Sequence, residues 1–257
     1  MAHPAVTSHP PGGPGPAATA ALVVLAGGSG TRVGADLNKV YLPLAGRRLI
    51  SWSFAWAAQL SDLGRFVLVV RPEDAELARQ TVRREAPGMP VDLVVGGGTR
   101  HESEQAALDR LAPAIGAGEI DVLAIHDGAR PLAGPSLYRA VVATARSVGG
   151  AVPALPADGV LPVAPDGGLL PLGPDARVRR PARVQTPQAF RAKDLCAAYS
   201  AAAADGYQGT DTACTVEVYS DLVVQAVAGS RRNLKVTYPG DLAVAERLLA
   251  AHGYRIP

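Results

Sequence analysis

Apolar residues in this chain recur in two spacings that alternate along its length. The run Ala21-Leu22-Val23-Val24-Leu25-Ala26 is continuously apolar and ends in Gly27-Gly28, the pattern of a strand covered on both faces. A loop is expected to about Leu44, then a helix from about Arg48 to Leu60. Phe66 to Val70 reads as a second buried strand and Glu73 to Glu85 as a polar helix. Val91 to Val95 reads as a third strand, followed by Gly-Gly-Gly-Thr-Arg and a helix from about Glu102 to Leu111. Ile120 to Ile125 is a fourth strand, ending in the cluster His-Asp-Gly-Ala-Arg-Pro, and Ser136 is the expected N-cap of a helix running to about Val148. Further on, helices are expected at Ala192 to Ala204, Thr210 to Tyr219 and Asp241 to Ala251. Strands are expected near Val223 to Val227 and at Asn233 to Val236.

Strand, glycine-rich loop and helix, repeated in this way, predict an α/β fold: a Rossmann-like, doubly wound, mainly parallel sheet. Ligands of such sheets bind beyond the carboxyl ends of the strands, and the polar clusters fall at those ends. Two segments break the rhythm. Residues 1–20 hold five prolines and three glycines, lack the basic start and apolar centre of a signal peptide, and read as a disordered tail. The stretch from about Ala154 to Arg183 is rich in proline and glycine. It reads as a protruding β-arm with its turn near Pro165 to Gly168, because long irregular segments within a compact domain usually serve function or interaction. Residues 21–257 then form a single domain.

Composition removes several classes of function. With 257 residues, 48% hydrophobic and a formal net charge of +2, the chain has one sizeable core and no nucleic-acid footprint. No apolar run approaches the roughly 20 residues that span a bilayer. Cys196 and Cys214 suit neither a disulfide framework nor a zinc site. They read as small buried hydrophobes in a reducing cytoplasm.

The loop Leu-Ala-Gly-Gly-Ser-Gly-Thr-Arg follows the first strand, so its amides can face a polyphosphate. No Gly-Lys-Ser/Thr closes it as a Walker loop. Gly28 and Gly30 match a dinucleotide fingerprint, but its third glycine is Val33 and no acidic residue near position 48 awaits a ribose, which disfavours an NAD-dependent oxidoreductase. Arg32 and Lys39 follow on the same loop. Two cations beside a bed of amides suit a triphosphate whose α-phosphate gathers charge during attack. Asp127 and Arg130, after a strand, could hold Mg²⁺ or a hydroxyl and clamp a phosphate, respectively. Lys235, within an expected apolar strand, is costly there unless it reaches a site. Thr210 could equally be a helix N-cap, and Ser103 a residue that caps or decorates a helix.

The run from Ala26 to Ser53 resembles the opening of the sugar-phosphate nucleotidyltransferases. In GGGTRHES, HDGARP, VQTPQAF, GTDTA and NLKVTYPGDLAVAE, taken in order, the chain resembles the 2-C-methyl-D-erythritol 4-phosphate cytidylyltransferase family and its relative, ribitol-5-phosphate cytidylyltransferase. The likeness spans about Ala21 to His252. It implies a Mg²⁺-dependent transfer of CMP from CTP to a small polyol phosphate, by a cytoplasmic homodimer clasped through the arm, with neither nucleic acid nor membrane as partner. By resemblance, Arg32, Lys39, Lys235 and Arg179 carry the chemistry, Arg177 or Arg180 being alternatives to Arg179. Ala26, Gly27, Gly28, Gly30, Gly97, Gly98, Ser103 and Asp127 meet CTP. Asp127, Arg130, Thr186 and Thr210 meet the acceptor, and Asp127 is the metal ligand. The chain departs from the family pattern in the arm, where an Asp-Thr-x-Lys run reads Asp158-Gly159-Val160-Leu161, and after GTD, where the usual glutamate is Thr212. Such departures leave open a different polyol phosphate, ribitol-5-phosphate first among them, or a nucleotide-binding paralogue without catalysis.

Overall fold

The structure, a computed structural model, describes residues 18–28, 37–157, 160, 163–168 and 181–251. The first strand, β1 (Thr19–Leu25), lies between β4 (Leu63–Val70) and β6 (Ile120–Asp127), parallel to both, and β5 (Val91–Val95) extends the parallel set beyond β4. A tight hairpin, β2 (Pro43–Leu44) with β3 (Arg47–Arg48), stands apart from the sheet. On the other side of β6 come β9 (Gln188–Arg191), antiparallel to β6 and β7 (Gly149–Pro156), and then β10 (Val223–Ala228), parallel to β7. The order across the sheet is β10-β7-β9-β6-β1-β4-β5, with β8 (Ala182–Val184) pairing β7 off that path.

Alternation along β1 divides the core. Ala20, Leu22 and Val24 face helices α1 (Ser51–Ala57), α2 (Ala75–Glu85) and α4 (Gly134–Val148), whereas Ala21 and Val23 face α3 (Arg100–Gly116), α5 (Ala192–Ala204) and α6 (Thr212–Tyr219). All five are fully buried, so the continuous apolar run is what a strand with two covered faces requires. A third apolar cluster brings Leu44, Leu49, Trp52, Leu132 and Val236 against Ala245 and Leu249 of α7 (Pro239–Ala251).

Several sequence expectations shift. The domain's first strand starts at Thr19 rather than Ala21. Helix α4 begins at Gly134, with Pro135 in its first turn and Ala133 preceding it, so Ser136 is inside the helix and not its cap. Proline fits there because its missing N–H would be unpaired anyway. Segment Asn233–Val236, expected as a strand, joins no ladder. Its backbone is held by the Val236 N–H, which donates to the Ala129 carbonyl at 2.9 Å, and by the Asn233 carbonyl, which accepts from Arg130 at 2.7 Å and Gln185 at 3.2 Å. Strand β9 and the first part of β7 stand where no strand was expected, whereas the pairing of β8 with the end of β7 falls at the ends of the stretch expected as a β-arm. At the base of the arm, β7 and β8 pair antiparallel, and the turn at residues 164–168 closes with the Ala164 N–H donating to the Gly168 carbonyl at 2.8 Å. Asp158, Gly159, Leu161 and residues 169–180 lie outside the described residues, as do residues 1–17, which include most of the expected tail. Cys196 and Cys214 are free and half-buried rather than buried. Among the described residues no helix is long and apolar enough to cross a membrane.

Candidate active site

Parallel pairing of β1, β4, β5 and β6 brings their carboxyl ends to one edge, and a cavity of about 390 Å³ opens there. Its lining combines glycine backbone, at Gly27, Gly28, Gly97 and Gly98, with the charged side chains of Lys39, Arg100, Asp127 and Lys235 and the hydroxyl of Ser103. Close packing requires glycine at Gly97 on the wall and at Gly128 behind it. A Cβ at Gly97 would stand 2.3 Å from the Cβ of Glu102, and one at Gly128 would stand 2.9 Å from the Leu25 carbonyl oxygen. Gly128 instead donates its N–H to that oxygen at 2.8 Å, tying the end of β6 to the end of β1.

Helix α3 enters the cavity wall through a reciprocal cap. Thr99 accepts from the Glu102 N–H at 3.2 Å, and the Glu102 carboxylate accepts from the N–H groups of Gly98 and Thr99 at 2.7 and 3.1 Å. This box satisfies the first orphan donors of the helix and starts it at Arg100, two residues before the expected Glu102. Ser103 donates to the Thr99 carbonyl at 2.9 Å, so it braces the first turn while lining the cavity and leaves capping to Thr99. Lys39 begins a 3₁₀ turn, Lys39–Tyr41, and is largely buried. Asn38 anchors that turn, donating to the Ala26 carbonyl at 2.7 Å and to Asp74 at 2.8 Å.

Asp127, the last residue of β6, is the centre of charge. Its carboxylate pairs with Arg100, with Lys235 at 2.9 Å and with Arg130 at 3.5 Å. Burial alone would raise its pKa, but the Arg100 and Lys235 cations and their hydrogen bonds outweigh it and hold the carboxyl well below the usual range. Arg100 responds in kind. Burial disfavours its cation, yet attraction to Asp127 and Glu104 raises its pKa, and it stays charged.

A neutral hydrogen-bond chain fixes Asp127 from behind. His126 is fully buried, which pushes its pKa down to about 4. The Arg130 carbonyl, 3.0 Å from Nε2, can only accept, so Nε2 carries the proton. Nδ1 must then accept from the Thr186 hydroxyl at 3.1 Å, and that hydroxyl accepts in turn from the Asp127 N–H at 2.9 Å. Gln185 and Asn233 complete the frame, with Asn233 donating to the Thr186 carbonyl at 2.8 Å.

The expected site residues divide into three sets. Gly27, Gly28, Lys39, Gly97, Gly98, Ser103, Asp127 and Lys235 come together around the cavity. Ala26, Arg130, Thr186 and Thr210 do not line it. Ala26 is buried with both backbone groups engaged. Arg130 holds Asp127 and the Asn233 carbonyl, the latter at 2.7 Å. The hydroxyl of Thr186 is spent within the chain just described. Thr210 is exposed, near the Cys214 sulfur, and the cap of α6 is Asp211, which accepts from the Cys214 N–H at 2.9 Å. Gly30, Arg32, Arg177, Arg179 and Arg180 lie outside the described residues. Arg100 was missed, although a cation in the first turn of a helix opposes the helix dipole and is a sign of nearby counter-charge. Lys235 was expected for a different reason, since the segment that carries it is not a strand.

Among the described residues, no group of three or more His, Cys, Asp or Glu side chains could hold a metal ion, and Asp127 is the single carboxylate on the cavity wall. Such a donor set suits Mg²⁺ only if phosphate oxygens and water supply the other ligands, which is how Mg²⁺ commonly sits in nucleotide sites.

Comparison with known proteins agrees with this geometry. Residues 20–251 match the family model described as 2-C-methyl-D-erythritol 4-phosphate cytidylyltransferase. Relatives of that name include one from Cereibacter sphaeroides, 40% identical over 236 residues, covering 90% of this chain and 97% of the relative. Another, from Gloeobacter violaceus, is 36% identical over 228 residues, covering 89% of this chain and 95% of the relative. The solved structure of 4-diphosphocytidyl-2C-methyl-D-erythritol synthase from Anaerococcus prevotii superposes with a TM-score of 0.77 at 23% identity, covering 91% of this chain and 99% of that one. The 2-C-methyl-D-erythritol 4-phosphate cytidylyltransferase of Thermus thermophilus does so with a TM-score of 0.64 at 26% identity, covering 90% of this chain and 99% of that one. A Rossmann-like nucleotidyltransferase sheet, a glycine-walled cavity at its strand ends and a match over nearly the whole chain lead to one conclusion: this protein belongs to the 2-C-methyl-D-erythritol 4-phosphate cytidylyltransferase family.

Proposed function

We propose that this protein transfers CMP from CTP to the phosphate of 2-C-methyl-D-erythritol 4-phosphate, releasing pyrophosphate, as a step in making isoprenoid precursors. The observation that carries the reading is the cavity lining: glycine backbone together with Lys39, Arg100, Asp127 and Lys235, in a chain of this family. The cytosine is read at Gly97, Gly98 and Ser103 of this cavity, where backbone and hydroxyl groups can pair the amine and ring acceptors of a pyrimidine. The triphosphate then lies against Gly27 and Gly28, with Lys39 and, by resemblance, Arg32 beside the α-phosphate.

The attacking group is an acceptor phosphate oxygen, already anionic, so no protein base is required. It attacks the α-phosphorus in line, the bond to the β-phosphate oxygen breaks, and pyrophosphate leaves. The residues contribute position and fixed positive charge, worth most where charge builds in the transition state. Lys235 holds the acceptor beside Asp127, with Arg130 and Thr186 buttressing the aspartate. Arg179 and Thr210 are the further acceptor contacts that the resemblance implies. Mg²⁺, held by Asp127 and triphosphate oxygens, would neutralise phosphate charge. Assembly as a homodimer through the arm, and residence in the cytoplasm, complete the reading.

The test is pyrophosphate release with CTP, Mg²⁺ and 2-C-methyl-D-erythritol 4-phosphate. Rates as high with ATP or GTP would overturn the cytidylyl assignment. A rate seen only with ribitol-5-phosphate would overturn the acceptor.

A further inference from the structure

Glu104 lies on α3 one turn beyond Arg100 and is 1% exposed. It does not line the cavity. A carboxylate this deep is expensive to bury unless its oxygens are paired, and three groups converge on it. The Arg100 Nε forms an ion pair at 2.9 Å, the Thr212 hydroxyl donates to Oε1 at 2.9 Å, and the Tyr199 hydroxyl donates to Oε2. Tyr199 is itself fixed, stacked on His101 with ring centroids 4.5 Å apart. The other side of the Arg100 guanidinium holds Asp127 on the cavity wall. Arg100 is thus gripped between two carboxylates, one behind the wall and one upon it.

We propose that Glu104 is a positioning residue of the nucleotide site, holding Arg100 from behind so that Arg100 and Asp127 keep one arrangement at the cavity. The inference rests on the reading of that cavity as the CTP site. An arginine in the first turn of a helix opposes the dipole and would swing toward solvent without anionic partners. Glu104, at i+4 on the same helix, is placed to prevent this. Position 212 lies on the other side of Glu104: Thr212 of α6 donates to it, so among the described residues the one anionic side chain in contact with Arg100 behind the wall comes from α3.

The experiment begins with CTP binding and turnover by the wild-type protein, because failure there breaks the assignment of the cavity rather than the role of Glu104. Glu104→Gln keeps the shape and removes the charge. It should raise the KM for CTP about tenfold, while kcat changes less than about threefold and the melting temperature stays within a few degrees. In an Arg100→Ala background the same change should add nothing, since residues acting through one another are not additive. Glu104→Ala should lose more, and adding Thr212→Glu to it should recover much of the loss by returning a carboxylate from α6. A KM within about twofold of wild type in Glu104→Gln, an equal penalty in both backgrounds, or no recovery in the double variant would each overturn the proposal. Should Glu104→Gln not fold, Thr212→Val decides, because it removes one donor and keeps the charge. A rise in KM of about two- to threefold supports the role and an unchanged value overturns it.

Discussion

Strand β6 carries an aspartate near each end, and the two ends use their aspartates differently. At the amino end, Asp121 and Asp62 share Arg146, at 2.7 and 3.2 Å, with all three side chains about a third exposed. At the carboxyl end, Asp127 is 8% exposed by its side chain and faces Arg100, Arg130 and Lys235. The first cluster has two anions for one cation and is open to solvent. In the second, cations outnumber anions even when Glu104 is counted, and the cluster borders a glycine-walled cavity. Water and salt screen the first to little net worth. Burial magnifies the charges of Asp127, Arg130 and Glu104 in the second, and the excess positive charge, including the more exposed Lys235, suits a polyanion. The chemistry of an ion cluster follows from its burial and balance more than from its membership.

Four measurements test that contrast. The largest effect is expected from Asp127→Asn, which leaves three cations with Glu104 as their one remaining anion in the cluster among the described residues. Loss of one partner from a buried ion cluster costs about 3–5 kcal/mol. Chemical denaturation should show that loss at neutral pH, and a loss below about 1 kcal/mol would show the carboxyl end to be as screened as the other.

Next comes pH. The unfolded chain protonates His126 below about pH 6.5, whereas in the fold its pKa is pushed down to about 4. Between those values the unfolded state binds the extra proton, so stability falls as pH drops from about 6.5 to 4, by about 3 kcal/mol for this group. His101, whose pKa burial also lowers, adds to the fall, and Glu104, raised by burial, opposes it. His126→Gln should remove most of the slope in that window. An unaltered slope would take His126 out of the account. Asp127 contributes little there: its folded pKa is depressed, so its stabilisation is complete above about pH 4 and is lost only in stronger acid.

Third, Lys39→Ala should lower turnover by on the order of 100-fold, with far less change in CTP binding, if its charge acts mainly in the transition state. Unchanged turnover would remove the lysine from the mechanism. The smallest effect belongs to Arg146→Ala at the other end of β6. It should cost about 0.5–1 kcal/mol in stability, after allowance for screening, and leave kcat and the KM for CTP as they were. A loss of activity would mean that the two ends of the strand are coupled.

Much of the parallel half of the sheet was legible because a strand covered on both faces must be apolar throughout, and β1, β4 and β6 largely are. The antiparallel half was not. Its strands β7, β8 and β9 are short or rich in small residues, glycine and proline, and take their conformation from neighbours in the sheet rather than from local preference. Asn233–Val236 erred the other way, being apolar enough for a strand but held by hydrogen bonds to Ala129, Arg130, Gln185 and Thr186 rather than by a neighbouring strand.

From the amino-acid sequence alone came the class of sheet, the glycine loops at its strand ends and the residue types of the cavity, Lys39, Gly97, Asp127 and Lys235 among them. Backbone reach and charge type are local properties, and spacing reports them. Only the fold in three dimensions settled which polar groups are free to meet a ligand. Thr186 and Arg130 carry suitable chemistry, yet the fold engages them in holding Asp127. Arg100 and Glu104, unremarkable as letters, acquire their role because α3 places them between β6 and α6. The physical reason is that a hydrogen bond or ion pair is a property of two positions at once. In this chain the partners stand as far apart in sequence as Glu104 and Thr212.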